Sequence, residues 1–97
     1  MTTKVLRESD VENYLRKRVK ELGGEIRKVK WIGRRNAMDN VVAIREVLYP
    51  TFVEVKRPGK KPTAAQQREI DRLTKAGFSC AWVSTYQEVD VLLSSGY

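Results

Sequence analysis

The stretch from Thr51 to Ser84 constrains this chain most. Thr51 to Arg57 is rich in β-branched residues and reads as a strand with Pro50 at its mouth. Arg57-Pro58-Gly59-Lys60-Lys61-Pro62 combines Pro, Gly and charge, so the chain must turn there. Thr63 to Ala76 has helical periodicity, with Ile70 and Leu73 inward and Gly77 as the stop. Ser79 to Ser84 carries Cys80, Ala81, Trp82 and Val83, the pattern of a short buried strand. A strand, a helix and a strand in this order require a right-handed parallel crossover. One mixed sheet flanked by helices is the economical packing.

The rest of the chain fits around that unit. Ser9 to Leu22 places Val11, Tyr14, Leu15, Val19 and Leu22 at helical spacing, and Gly23-Gly24 stops the helix. In Glu25 to Ile32, Val29 and Trp31 alternate with Lys28 and Lys30, which predicts a half-exposed strand followed by the polar loop Gly33-Arg34-Arg35-Asn36. Asn40 to Ile44 reads as a short strand, and Tyr86 to Ser94 as a last helix carrying Val89, Val91, Leu92 and Leu93. The predicted class is α/β, order αβββαβα, with 1–97 as a single domain, because 97 residues leave room for one core. No apolar run approaches the roughly 18 to 20 residues that cross a bilayer, and Met1-Thr2-Thr3-Lys4 leads into a charged helix rather than a signal peptide. With one cysteine, Cys80, and no histidine, an internal disulfide is impossible and a zinc site is excluded in practice.

Nineteen Lys and Arg against twelve Asp and Glu give a net charge of +7. Such a field draws in a polyanion, nucleic acid before others, with general solubility as the competing explanation. Within Phe52-Val53-Glu54-Val55-Lys56, residues two apart face the same way, so Glu54 and Lys56 share one face and Val53 and Val55 the other. Asp39 precedes a strand able to pair with this one and so to bring a second carboxylate beside Glu54. Two close carboxylates are costly without a cation, and hard Mg²⁺ or Mn²⁺ takes such ligands. Glu12 in the first turn of the first helix and Gln66 at the start of the later one are further candidates.

Each candidate also has a plainer reading. Ser9-Asp10-Val11-Glu12 fits an S-x-x-E capping box and Thr63-Ala64-Ala65-Gln66 its T-x-x-Q form. Glu54 and Lys56 fit an exposed ion pair worth under ~1 kcal/mol, and Asp39 a turn residue. Arg34, Arg35, Arg57, Lys60 and Lys61 lie in loops bracketing the acidic residues, as phosphate clamps beside a scissile bond or as solvated surface. Trp31 and Trp82 sit among apolar strand neighbours and read as core or interface rather than as base-stacking residues. With no base-reading motif visible, recognition by backbone and shape is expected.

Taken in order, Glu12, Asp39 after a Gly-Arg-Arg loop, Glu54-Val55-Lys56 and Thr63-Ala64-Ala65-Gln66 resemble the VRR-NUC (virus-type replication-repair nuclease) branch of the PD-(D/E)XK nucleases. The resemblance spans about Ser9 to Val83. It implies a restriction-endonuclease-like fold and an endonuclease that hydrolyses phosphodiester bonds with Mg²⁺ or Mn²⁺. On that pattern Asp39, Glu54 and the Val55 carbonyl hold the metal, and Glu12 completes the acidic set directly or through water. Lys56 orients or deprotonates the attacking water, while Gln66 positions solvent or the lysine. The resemblance further implies branched DNA such as Holliday junctions as substrate, DNA repair, a homodimer, phage origin, and the cytoplasm of a bacterial or phage-infected host cell. Members usually have Gly and Pro in the loop before the aspartate, where this chain has Asn36-Ala37-Met38. Asn tolerates the left-handed conformation, but Met38 lacks proline's fixed φ, so a looser loop is expected. The rivals to a nuclease are a non-catalytic nucleic-acid-binding module and a protein-interaction subunit with a basic docking face.

Overall fold

In the computed structural model, which describes residues 5–94, the elements follow the order αβββαβα. They are α1 (Glu8–Glu21), β1 (Glu25–Lys28), β2 (Asn40–Ile44), β3 (Leu48–Val55), α2 (Ala64–Lys75), β4 (Ser79–Val83) and α3 (Tyr86–Ser94). The expectation that Met1-Thr2-Thr3-Lys4 is no signal peptide lies outside the described residues, as do both ends of the 1–97 range. The sheet runs β1-β2-β3-β4, antiparallel across the first two pairings and parallel between β3 and β4. The β3-α2-β4 crossover therefore makes the sheet mixed, as the sequence requires. Among the described residues, no helix is long and apolar enough to cross a membrane.

Alternation along β3 and β4 divides the core. Val53, Val55, Ala81 and Val83 face α1 and α3, where Val11, Leu15, Val19, Val89, Leu92 and Leu93 complete one buried cluster. Phe52, Cys80 and Trp82 face α2 and form a smaller cluster with Met38, Ile70 and Leu73. Glu54 follows Phe52 by two residues and so emerges on the α2 side, at the end of its strand. Stacking of Tyr14 on Tyr86, 4.2 Å between ring centroids, and a 2.8 Å hydrogen bond from the Tyr14 hydroxyl to Asp90 tie α1 to α3.

Three local expectations are corrected. The first strand ends at Lys28 rather than Ile32: the Val29 N–H still donates to the Asp39 carbonyl at 2.9 Å, but Trp31 then leaves the ladder, donating its indole N–H to the Met38 carbonyl at 2.6 Å. The third strand begins at Leu48, so Pro50 lies within it, where the pairing shifts between Val42 and Ile44. A residue without an N–H is tolerated there because the ladder is already interrupted. The first helix starts one residue earlier than expected, and its reciprocal bond comes from the Arg7 N–H to Asp10 Oδ2 at 2.8 Å, so Glu12 is not part of a capping box with Ser9. Gly24 permits the turn out of α1, since a Cβ there would meet Ile44 Cγ1 at 2.5 Å and the Ala43 carbonyl at 2.6 Å.

The second capping box forms as its sequence suggests. Thr63 Oγ1 accepts the Gln66 N–H at 3.1 Å, and Gln66 Oε1 accepts the Thr63 N–H at 2.9 Å. Thr63→Ala is expected to destabilise the protein by about 1 kcal/mol, read as a lowered midpoint in urea at unchanged slope.

Candidate active site

A pocket of about 250 Å³ opens where β1 ends, β2 begins and β3 ends. Its wall includes Glu12, Lys28, Asp39, Glu54, Val55 and Gln66, with Glu8 and Ala37 at the margin. The antiparallel register explains the meeting. Asn40 pairs with Val53 across β2 and β3, so Asp39 and Glu54, one residue further on, come to the same end of the sheet. Glu12 reaches this end from α1, on the opposite face from α2, and Gln66 from the first turn of α2. Lys56 follows directly after β3, fixed by its backbone N–H to the Val83 carbonyl at 2.8 Å, and its charge acts on Glu54.

The carboxylates are held differently. Glu12 Oε2 accepts from Lys28 Nζ at 2.7 Å and from Asn40 Nδ2 at 3.0 Å. Burial alone raises its carboxyl, but the Lys28 and Asn40 hydrogen bonds more than offset this and hold it below the ordinary range. Asp39 Oδ2 lies 3.2 Å from the same Lys28 Nζ. Glu54 is pushed up to about 7, chiefly by burial; Lys56 pulls it down and Asp39 pushes it further up. It therefore carries a charge at neutral pH only at a cost.

Asp39, Glu54 and the Val55 carbonyl are hard oxygen donors on rigid strand ends, a set that fits Mg²⁺ or Mn²⁺. Among the described residues, no three acidic, cysteine or histidine side chains converge into a ready-made cage. Mg²⁺ is commonly held by one or two carboxylates and keeps several waters, so a two-carboxylate set is sufficient. Asn40, fully buried beside Glu12, adds an Oδ1 with no hydrogen-bond partner among the described residues, an acceptor suited to bound water.

Comparison with known proteins places the fold in a family. No family model matches the chain. A protein of Acyrthosiphon pisum secondary endosymbiont phage 1, named as a candidate nuclease, p44, is 39% identical over 74 residues, which cover 76% of this chain and 78% of the relative. A solved structure described as a VRR_NUC domain superposes with a TM-score of 0.73 at 35% identity, covering 88% of this chain and 91% of that one. The chain belongs to the VRR-NUC family. Its four-stranded mixed sheet and three helices are those of a restriction-endonuclease-like fold.

Within this VRR-NUC chain the departure at Met38 is compensated. Its side chain is fully buried against Ile70 and Cys80, and its carbonyl is held by Trp31. Asn36 takes the left-handed conformation, φ 62°, that glycine would otherwise supply. Arg34 is anchored as well: its Nε donates to Glu69 Oε2 at 3.2 Å, and Arg72 grips the same carboxylate at 2.9 Å. The loop is thus tied to α2 in place of being stiffened by proline. Arg35, Arg57, Lys60 and Lys61 are exposed, whereas Arg34 has a carboxylate partner that sequence reading did not assign.

Lys28, Asn40 and Glu69 escaped the sequence reading. Lys28 looked like the outward side of a longer strand; only its pairing with Asn40 shows that it ends β1 beside Asp39. For Asn40 a signal existed, because an amide opening the apolar run Val41-Val42-Ala43-Ile44 is a poor strand former with something else to do. Glu69 sits three residues after Gln66, and so on the helix stripe that faces the loop.

Proposed function

We propose that this VRR-NUC protein is a Mg²⁺- or Mn²⁺-dependent DNA endonuclease that hydrolyses phosphodiester bonds in branched DNA such as Holliday junctions. The observation that carries the reading is the convergence of Asp39, Glu54 and Gln66 on one pocket in which burial holds the Glu54 carboxyl near 7. Asp39, Glu54 and the Val55 carbonyl hold the cation, with Glu12 acting directly or through water. The cation, when bound, lowers the pKa of coordinated water and stabilises charge on the phosphate. Lys56 Nζ orients the attacking water or takes its proton. Gln66 spends Oε1 on its helix cap, which leaves Nε2 to orient solvent or the Lys56 amine. The water oxygen forms the new bond to phosphorus in line with the phosphodiester bond that breaks, and the sugar oxygen leaves with that bond's electron pair and takes a proton from solvent. Arg35, Arg57, Lys60 and Lys61 clamp the flanking phosphates, and Arg34 contributes its exposed side.

A homodimer in a host-cell cytoplasm belongs to the same proposal. A small core gains stability by covering an apolar face, and paired sites cut two strands symmetrically. The edge of β4, unpaired among the described residues, and the adjoining groove of about 570 Å³ between α2 and α3, lined by Ile70, Trp82, Val91 and Leu92, supply such a face. Sedimentation at micromolar concentration is expected to give a dimer.

The test of activity is cleavage of labelled four-way junction, fork, nicked, single-stranded and linear duplex DNA in Mg²⁺, Mn²⁺ and EDTA. Metal-dependent cutting, strongest on the junction and lost in Asp39→Ala and Lys56→Ala, is the expected result. Binding of the same DNAs without product in either metal would replace the nuclease with the non-catalytic module.

A further inference from the structure

The catalytic reading gives Lys28 no task, yet its ammonium sits among the acids of the pocket, 2.7 Å from Glu12 Oε2 and 3.2 Å from Asp39 Oδ2. We propose that Lys28 is a built-in counter-cation that holds Glu12 and Asp39 together in the metal-free protein and surrenders Asp39 when a divalent cation enters, thereby setting metal affinity. The inference rests on Asp39 and Glu54 being metal ligands.

Its support lies in where the backbone puts Lys28. Lys28 is the last residue of β1 and pairs with Asn40, the first of β2. Asn40, fully buried, holds Glu12 Oε2, the same oxygen that Lys28 holds. The next residue, Val29, donates its N–H to the Asp39 carbonyl at 2.9 Å. The base of the lysine and the base of Asp39 are therefore locked together, while the ammonium stands on a flexible four-carbon stem about half exposed to solvent. An ordinary surface ion pair holds one carboxylate and contributes little. Here one ammonium serves two carboxylates, and the buried Asn40 amide reaches both, Glu12 at 3.0 Å and Asp39 more weakly at 3.4 Å.

A cation on Asp39 and the Lys28 ammonium repel one another even when they take different carboxylate oxygens. A Mg²⁺ ion bonds a carboxylate oxygen at about 2.0–2.1 Å, which would bring a doubly charged ion within a few Å of the Lys28 ammonium, and Mn²⁺ takes the same ligands. At the effective dielectric of a protein surface that repulsion is several times RT. That repulsion favours turning Nζ away from Asp39, with Glu12 and solvent left to receive it. Sequence alone gave the pocket an acidic count; the structure gives it a cation already in place, against which the metal has to bind.

The experiment is Mn²⁺ binding to the full chain by calorimetry and by electron paramagnetic resonance of free Mn²⁺, with thermal unfolding in EDTA and in saturating Mn²⁺. Lys28→Met keeps most of the stem and removes the charge. It is expected to bind Mn²⁺ roughly ten-fold more tightly than the wild type, to unfold several degrees lower in EDTA, and to gain more from Mn²⁺. Lys28→Arg is expected to keep the wild-type affinity, and Asp39→Asn to lose binding in either background. Should Lys28→Met fail to fold, Lys28→Gln retains a donor for Glu12 without the charge and carries the same expectation. Mn²⁺ binding by the wild type that Asp39→Asn abolishes and Lys28→Met leaves unchanged or weakens would overturn the role of Lys28 while sparing the metal site. No saturable binding in any variant would overturn both.

Discussion

Glu54→Gln is expected to lower cleavage at least roughly a thousand-fold and, in the same molecule, to make the metal-free protein more stable at pH 8. The loss follows from removing one of two carboxylates that hold the cation. The gain follows from burial. The folded Glu54 carboxyl titrates at about 7, against an ordinary value of 4.5. With the folded pKa above the unfolded one, the folded state binds the extra proton, so the cost is absent below about pH 4.5, grows through the interval and is complete above pH 7. Glu54 keeps part of its surface in solvent, which reduces the effect to about 1–2 kcal/mol. Glutamine has nearly the same shape and no charge, so it recovers this amount at pH 8 and only a small part of it at pH 5. Urea unfolding in EDTA at the two pH values measures it. Saturating Mn²⁺ should reverse the order at pH 8, stabilising the wild type and leaving Glu54→Gln unmoved. An equal gain at both pH values would locate the effect in packing and remove the electrostatic argument.

The same residue shows what a linear sequence discloses. The alternation that sets Glu54 opposite to Val53 and Val55 is written in five consecutive residues, and so is the Thr63-Gln66 cap that opens α2. The β3-α2-β4 crossover was equally legible, because Pro58, Gly59 and Pro62 leave the chain no means of continuing the strand. Lys28 and Asn40 were not, since their meaning depends on register. A shift of one residue between β1 and β2 would send Lys28 to the other face of the sheet, away from Glu12. Glu12 had two local readings of similar merit; the Arg7–Asp10 bond removes the capping one, and the contact from Lys28, sixteen residues away in sequence, was visible in neither. Arg34 is the converse case. Its position in a basic loop suggested phosphate, and only the folding of α2 beneath that loop supplied Glu69.

That contact carries the second large effect. Glu69→Ala is expected to reduce cleavage ten- to hundred-fold, mostly in kcat, at a cost in stability of only about 1–2 kcal/mol. Glu69 is 2% exposed, but its partners Arg34 and Arg72 are 49% and 60% exposed, so solvent receives the guanidinium groups when the carboxylate is gone. Stability therefore falls modestly. Geometry suffers more, because Arg34 lies five residues before Asp39 and ties their common loop to the helix that carries Gln66. The tie survives acid: hydrogen bonds from Arg34 and Arg72 hold the Glu69 carboxyl down at about 2, so its contribution is complete above the ordinary 4.5 and is lost only as pH falls toward 2. Variants of the two arginines separate anchoring from helix stability. Arg72 reaches Glu69 from one turn along the same helix and holds no loop, so Arg72→Ala should leave kcat near the wild-type value. Arg34→Ala should reproduce the fall in kcat, because Arg72 remains to satisfy Glu69 while the loop is released. If Arg34→Ala raises KM and spares kcat, the guanidinium serves DNA phosphate alone. The buried Met38 side chain and the Trp31 hydrogen bond would then be sufficient by themselves to place Asp39.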